Sequence, residues 1–399
     1  MDVLIIILAS IIAAIAAQLI AFGRYGSERL SYSSAFNVTE TRQGEEIEFV
    51  ETIRNGKSLP VPWIKVNIFT SRHLDFALSN SSVAQDSRFI TSAFFLKGHQ
   101  RVRRHWRVTP TKRGVYRIPE VTMTTGDLMG ISRSSVGVKV DSTLTVYPET
   151  VTLDRDMLRV GRVVGERSIA RFLPHNPYLV SGAREYDGSE AMNRISWKAT
   201  ARMGTLMSKV NDVTASMGLA IVLNVQTRDY LRSEIPDKEL VEDGIKVAST
   251  LANIALADET AVRLLSNAPM PGEGPAKAVE VPEGSGKAHV MAIQDILAGL
   301  EVSVAEDFDD LWVRLCEPLR DTIIVLISCY LPKALTSGPQ AYRQPRGASP
   351  VRFVSLGFPD RKGLPDWLEC HYYSPSSKST ARVHGEGGEG AARGRPGLG

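Results

Sequence analysis

Twenty successive residues, Val3 to Phe22, read VLIIILASIIAAIAAQLIAF, with Ser10 and Gln18 as the only polar side chains. A run of about 20 apolar residues covers the hydrocarbon core of a bilayer at helical rise. Residues 1–23 are therefore predicted to form one transmembrane anchor. A cleaved signal peptide competes, with Ala14-Ile15-Ala16 as a formal cleavage site. Such peptides carry a positive n-region and a shorter apolar stretch, whereas only Asp2 is charged ahead of this one. Arg24 and Arg29 follow the run and no Lys or Arg precedes it. Positive flanks stay on the cytoplasmic side, which predicts a single-pass cell-membrane protein with its bulk in the cytoplasm.

The pattern then changes to period-two alternation, the signature of half-buried strands. Glu46-Ile47-Glu48-Phe49 alternates, and the run ends at Arg54-Asn55-Gly56-Lys57, where Asn-Gly signals a turn. Ile64, Val66 and Ile68 share a face, as do Val102, Trp106 and Val108. Tyr116-Arg117-Ile118 and Leu144-Thr145-Val146-Tyr147 add further strands. Short strands with no amphipathic helix between them predict an immunoglobulin-like β-sandwich over residues 30–150. The face opposite Val102 and Trp106 carries Arg101, Arg103, His105 and Arg107, near Lys97, Lys112, Arg113 and Arg117. That face either meets anionic lipid head groups or is a solvated surface with mixed counterions.

Residues 217–373 alternate strand and helix patterns. Leu219 to Val225 is a continuous apolar run suited to a buried parallel strand. Helical periodicity follows over Glu239–Leu256, then a short strand over Val262–Leu265 and helices over His289–Leu300 and Phe308–Leu319. Thr322–Ser328 and Val351–Leu356 are further strands. Such alternation predicts a parallel sheet covered on both faces. Residues 269–286, rich in Pro and Gly, are predicted as a surface loop. The tail, 374–399, lacks large apolar residues and is predicted disordered.

Between these regions, residues 151–216 form a connecting segment. Pro174 and Pro177 keep their preceding residues extended, and Ser189 is a candidate N-cap for a helix over Glu190–Arg202 that Gly204 ends. Arg194, Lys198 and Arg202 recur at i, i+4 and i+8, one stripe of that helix. Trp197 and Ala201 are expected elsewhere on it, with Ile195 and Ala199 completing a packed side; Trp197→Ala would loosen the domain if that residue is core. The stripe is either a docking element or a solvated face.

Composition narrows the function classes. With 47 Lys and Arg against 44 Asp and Glu, the net charge is +3, too mild to point to a nucleic-acid partner. Cys316, Cys329 and Cys370 are too few and scattered for a disulfide framework or a CxxC metal site.

The segment Gly182, Arg184, Glu185, Tyr186 followed by Ile195, Trp197, Lys198, Ala199, Thr200, Ala201 and Arg202 resembles the family called domain of unknown function fifty-eight. Gly204, Leu206 and Lys209 fit as well, and so do Arg113-Gly114-Val115-Tyr116, Thr125-Gly126-Asp127, Val146-Tyr147-Pro148 and the turn from Asn55 to Trp63. The resemblance spans about residues 40–225. It implies a membrane-anchored protein with a von Willebrand factor A-like C-terminal domain, often encoded beside AAA ATPases of the MoxR class, with no established catalytic activity. It thereby implies a non-enzymatic adaptor, bound to the lipid bilayer and to such an ATPase, whose partner-binding residues are Arg184, Glu185, Tyr186, Arg194, Trp197, Lys198 and Arg202.

Von Willebrand factor A-like domains hold Mg²⁺ through an Asp-x-Ser-x-Ser loop after the first strand, since a hard cation takes oxygen ligands. Here that stretch is Asn224-Val225-Gln226-Thr227-Arg228. It lacks the carboxylate and puts a cation among the ligand positions, so neither a metal site nor a cofactor is expected. A divalent-cation-dependent adhesion module is the alternative. Gly284-Ser285-Gly286-Lys287 lacks the glycine and the Ser or Thr of a phosphate loop. A hydrolase built on the adjacent Cys370 and His371 is the third and weakest alternative.

Overall fold

The computed structural model describes residues 2–25, 28–77, 81–126, 133–153, 180–186, 192, 195–211, 218–228, 235–272, 277–315, 322–336, 351–357 and 368–373. Helix α1 (Asp2–Tyr25) is 24 residues long. Leu4 to Leu8, Ile11, Ile12 and Ile20 stand exposed along it. Among the described residues, no helix is long and apolar enough to cross a membrane. In α1 the side chains at 2, 3, 14, 19 and 21–25 lie outside the description.

Ten strands follow: β1 (Leu30–Phe36), β2 (Glu40–Arg42), β3 (Ile47–Asn55), β4 (Val61–Ser71), β5 (Leu74–Phe76), β6 (Ser81–Ala84), β7 (Ser87–Leu96), β8 (Arg101–Pro110), β9 (Gly114–Gly126) and β10 (Arg133–Tyr147). They form two sheets, β1-β3-β8-β5 and β2-β10-β9-β4-β7-β6. All pairs are antiparallel except β10 with β2. Ile47, Phe49 and Ile53 from the first sheet meet Ile64, Val66, Ile68, Ile90, Ile118 and Leu144 from the second in one core. A β-sandwich with alternating inward positions results, as the period-two pattern requires. On β3 the alternation carries Glu51 inward with Phe49 and Ile53, and it is fully buried. Its carboxylate accepts hydrogen bonds from the Tyr32 hydroxyl at 2.9 Å, the Ser92 hydroxyl at 2.8 Å and the Trp106 indole N–H.

A small antiparallel pair comes next, β11 (Val180–Glu185) with β12 (Met207–Asn211), and helix α2 (Trp197–Met203) lies between them in sequence. The remaining elements are β13 (Gly218–Leu223), α3 (Lys238–Ala257), β14 (Val262–Pro269), β15 (Ala278–Gly284), α4 (Lys287–Gly299), α5 (Phe308–Leu315), β16 (Thr322–Ser328), α6 (Lys333–Thr336), β17 (Val351–Leu356) and β18 (Glu369–Tyr373). Their sheet runs β15-β14-β13-β16-β17-β18, parallel except for β15. Ile221, Leu223, Val325 and Ile327 pack under Val241, Ile245, Ile293 and Leu297 of α3 and α4. Ala220, Val222, Ile324 and Leu326 pack under Phe308, Leu311 and Trp312 of α5 on the other face. Burial on both faces is why these strands read as unbroken apolar runs. Residues 278–284 correct the sequence expectation of a loop. Val279 and Val281 are buried, and the strand hydrogen-bonds to β14.

The two bodies meet at a polar junction. The chain leaves β10 at Tyr147, and Leu153 already belongs to the core under α3 and α4. Arg113, just before β9, is buried between them. Its Nη1 donates to the carbonyls of Leu297, Ala298 and Leu300 at 3.0, 3.1 and 2.9 Å. Its Nε lies 2.7 Å from the Glu242 carboxylate on α3. A helix C-terminus has orphan carbonyls and partial negative charge, and the guanidinium meets both. Burial pulls the pKa of Arg113 down, while Glu242 opposes that shift. The Tyr147 hydroxyl donates to Asp295 at 2.9 Å, the Thr250 hydroxyl accepts from the Val151 N–H at 3.1 Å, and Lys246 sits 3.6 Å from Glu149. Gly114 follows Arg113 with φ +152°, and Tyr116 donates back to the Lys112 carbonyl at 2.7 Å. These bonds hold the Arg113–Tyr116 stretch against the helices.

Candidate functional site

The unit formed by β11, α2 and β12 contains the segment that carries the family resemblance. Arg184 pairs across the strands with Ser208, and Glu185 with Met207. Both Arg184 and Glu185 are exposed, and the Tyr186 N–H donates to the Leu206 carbonyl at 2.8 Å. Ile195 is buried and bridges to Ser208, and the Ser196 N–H donates to the Met207 carbonyl at 2.7 Å. Those two contacts hold residues 195 and 196 extended, so the helix starts only at Trp197. This corrects the expected helix over 190–202. Ser196, not Ser189, occupies the N-cap position, and it makes no side-chain capping bond. Gly204 does end the helix, at φ 72° in the left-handed region, with its N–H on the Thr200 carbonyl. The Thr200 hydroxyl accepts from the Met207 N–H at 3.0 Å and fastens α2 to β12.

Trp197 is 65% exposed, so the conditional core reading of this residue does not hold. A seven-residue helix pinned by Ile195 and Thr200 leaves the residue after its N-cap facing solvent. Met192, Met203 and Leu206 are exposed beside it in sequence, and Lys198 and Arg202 are exposed on α2. Arg194 precedes α2, and its structure lies outside the described residues, as do positions 187–191. The expected three-cation stripe is therefore reduced on the described helix to Lys198 and Arg202. The unit presents one large aromatic, three flexible apolar side chains and two cations.

A second candidate lies where the strand order reverses, at the carboxyl ends of β13, β14 and β16, the usual ligand position of open α/β sheets. Asn224 Nδ2 donates to Ser328 Oγ at 3.0 Å, and Asn267 Nδ2 donates to Asn224 Oδ1 at 3.1 Å and Gln226 Oε1 at 3.2 Å. Gln226 Oε1 also accepts the Phe308 N–H at 3.0 Å, and Asn267 Oδ1 accepts the Val225 N–H at 2.9 Å. All four side chains are buried. Arg228 is exposed, so neutral amides rather than its charge occupy this loop. No group of three or more His, Cys, Asp or Glu suited to a metal occurs among the described residues. Nearby, a cleft of about 620 Å³ is lined by Met270, Lys277, Ala278, Glu280, Glu306 and Arg314, among others. Arg314 is engaged with Glu280 and Glu306.

Cys370 and His371 are adjacent on β18, so their side chains leave opposite faces of the sheet. Cys370 packs against the core under α5, which separates it from the imidazole. Burial pushes the Cys329 thiol up to about 12, assisted by Asp237 and Asp243, which suppresses the nucleophilic thiolate.

No family model matches the chain, and no curated protein matches it either. Similar solved structures include a non-cellulosomal cohesin from the archaeon Archaeoglobus fulgidus, 16% identical, covering 32% of this chain and 97% of that one, with a TM-score of 0.21. A CARDB domain from Pyrococcus furiosus is 15% identical over 31% of this chain and 97% of its own, with a TM-score of 0.20. The sporulation control protein Spo0M of Bacillus subtilis is 14% identical over 29% of this chain and 49% of its own, with a TM-score of 0.18. These likenesses are partial, and the β-sandwich rests on the strand pairing itself.

Proposed function

We propose that this protein is a non-enzymatic membrane adaptor: α1 anchors it, the β-sandwich and the α/β body lie in the cytoplasm, and the α2 unit docks a MoxR-class AAA ATPase. The observation that carries this reading is the exposed Trp197, with Met192, Met203, Leu206, Lys198 and Arg202 also exposed within nine residues of it in sequence. Exposed apolar clusters mark interaction sites, and Trp, Met and Arg are the residues enriched where interfaces are buried. At 1.5 Å per residue, the 24 residues of α1 reach about 36 Å, enough for the hydrocarbon core. The α/β body supports a von Willebrand factor A-like assignment through its antiparallel edge strand β15 and its strand order. The buried amides at Asn224, Gln226 and Asn267 favour a cation-independent use of that body, because a divalent cation is held by carboxylates.

Capture of the ATPase by the full chain in phospholipid vesicles tests the docking surface. Trp197→Ala should weaken capture about thirty-fold, the loss expected of a central aromatic anchor. Lys198→Glu with Arg202→Glu should weaken it further through like-charge opposition. Both variants should melt close to wild type, since exposed substitutions shift stability by about 0.5 kcal/mol. Undiminished capture by both variants would remove the α2 unit from the interface.

A further inference from the structure

Beyond the partner surface, the structure assigns a lipid-facing end to the β-sandwich: we propose that the rim built from residues 54–60 and 97–103 rests on the anionic head groups of the membrane that α1 enters. The inference rests on the anchor reading of α1. The rim is a built feature. Asn55 is fully buried, and its Nδ2 donates to the Leu59 carbonyl at 2.9 Å and the Lys97 carbonyl at 3.0 Å, tying the two loops together. The His99 N–H donates to the Lys57 carbonyl, the Asn55 N–H to the Gln100 carbonyl, and Ser58 Oγ lies 3.0 Å from His99 Nε2. A side chain at Gly98 would strike the Ser58 carbonyl oxygen, so the loops touch.

Lys57 of the rim has Glu28 near it, but the rim's arginines have no such acidic neighbour on their strands. Arg54 stands directly opposite Arg101 across β3 and β8, and Arg103 follows on the same exposed face, opposite Thr52. Like charges directly opposite destabilise a sheet, and among the described residues neither Arg54, Arg101, Arg103 nor the Lys97 ammonium forms an ion pair. The acids of this face lie at its other end, where Glu48 meets His105 and Glu46 meets Arg107. A row of cations held together without counterions is suited to an external array of anions. Leu59, 38% exposed, adds an apolar tip beside it.

The tether selects the membrane over other anions. The Gly56 N–H donates to the Arg29 carbonyl at 2.9 Å, so Arg29 is fixed to the rim. Three residues lie between Tyr25, the end of α1, and Arg29, so the four steps of chain span at most about 14 Å even when extended. The arginine row therefore stays within a short distance of the leaflet that α1 leaves. Each cation held at an anionic leaflet strengthens attachment about five-fold.

The test is acetylation footprinting of the full chain in vesicles of phosphatidylcholine alone or mixed with phosphatidylglycerol. Lys97 should label about five-fold more slowly in the anionic vesicles, while exposed Lys287 on the α/β body labels equally in both. High salt, which shortens the Debye length to about 3 Å, should restore Lys97 labelling. Arg54→Glu, Arg101→Glu and Arg103→Glu together should restore it without salt. Alkaline carbonate extraction separates the two readings. A chain retained in both vesicles with equal Lys97 labelling overturns the lipid contact and leaves the anchor standing. A chain washed from both overturns the anchor and the tether together. Protection of Lys97 that needs added ATPase and not anionic lipid also overturns the proposal and gives the rim to a protein.

Discussion

Replacing Arg113 by alanine is expected to cost the full chain about 3–5 kcal/mol of stability, the loss typical when one partner of a buried ion pair is removed. The variant leaves the Glu242 carboxylate, of which only 17% is exposed, with the half-exposed Lys112 ammonium at 3.3 Å as its remaining partner, and leaves the carbonyls of Leu297, Ala298 and Leu300 without their donor. Each buried group deprived of its partner is penalised by its full desolvation. Arg113→Lys should fall between, because an ammonium keeps the charge but cannot spread donors over three carbonyls and a carboxylate at once. Arg113→Met combined with Glu242→Gln should lose less than Arg113→Met alone, since the double change removes a largely buried carboxylate left with only the half-exposed Lys112. Denaturant melts of the four variants check this. A loss under about 1 kcal/mol for Arg113→Ala would mean that the junction is held by its other bonds.

Glu51→Ala should be comparably damaging, at about 3–5 kcal/mol. It empties a core position and removes the shared acceptor of Tyr32, Ser92 and Trp106. The indole N–H has no alternative role as acceptor, so it stays unsatisfied between the sheets. Glu51→Leu restores volume but not the acceptor and should recover only part of the loss. Near-UV circular dichroism alongside melting reads both effects, because Trp106 and Tyr32 flank the site. If Glu51→Leu melts with wild type, the carboxylate does not organise this core.

The parts of the fold that were legible in the sequence are those where one physical demand acts alone. Thr322–Ser328 and Val351–Leu356 were bounded correctly because strands buried on both faces must be apolar throughout. Ile64, Val66 and Ile68 were placed on one inward face by period two alone. Residues 278–284 were missed because β15 is an edge strand, with Val279 and Val281 buried among Lys, Glu, Pro and Gly that read as a loop. Glu51 was legible in principle, sitting in phase with Phe49 and Ile53, but a charged side chain conceals the pattern it obeys. The site was legible only as a segment. Its helix is shorter than propensity suggests because Ile195 and Ser196 are claimed by β12, a pairing that no local pattern announces. The same holds for Arg113 and Glu242, 129 residues apart.

The junction has a mechanical consequence for any chain pulled by a motor from one side and held by a bilayer on the other. Load passing between the sandwich and the α/β body runs through the 148–153 stretch, the Arg113 guanidinium and the bonds Tyr147–Asp295, Lys112–Glu242 and Lys246–Glu149. Hydrogen bonds at 2.9–3.1 Å weaken steeply once lengthened, and packed interfaces are bistable rather than continuously deformable. The connection is therefore brittle. Below threshold it conveys force with little give, and above it the cap on α4 is lost in a single step, leaving Tyr147–Asp295, Val151–Thr250 and the lysine pairs with Glu149 and Glu242 to carry the load.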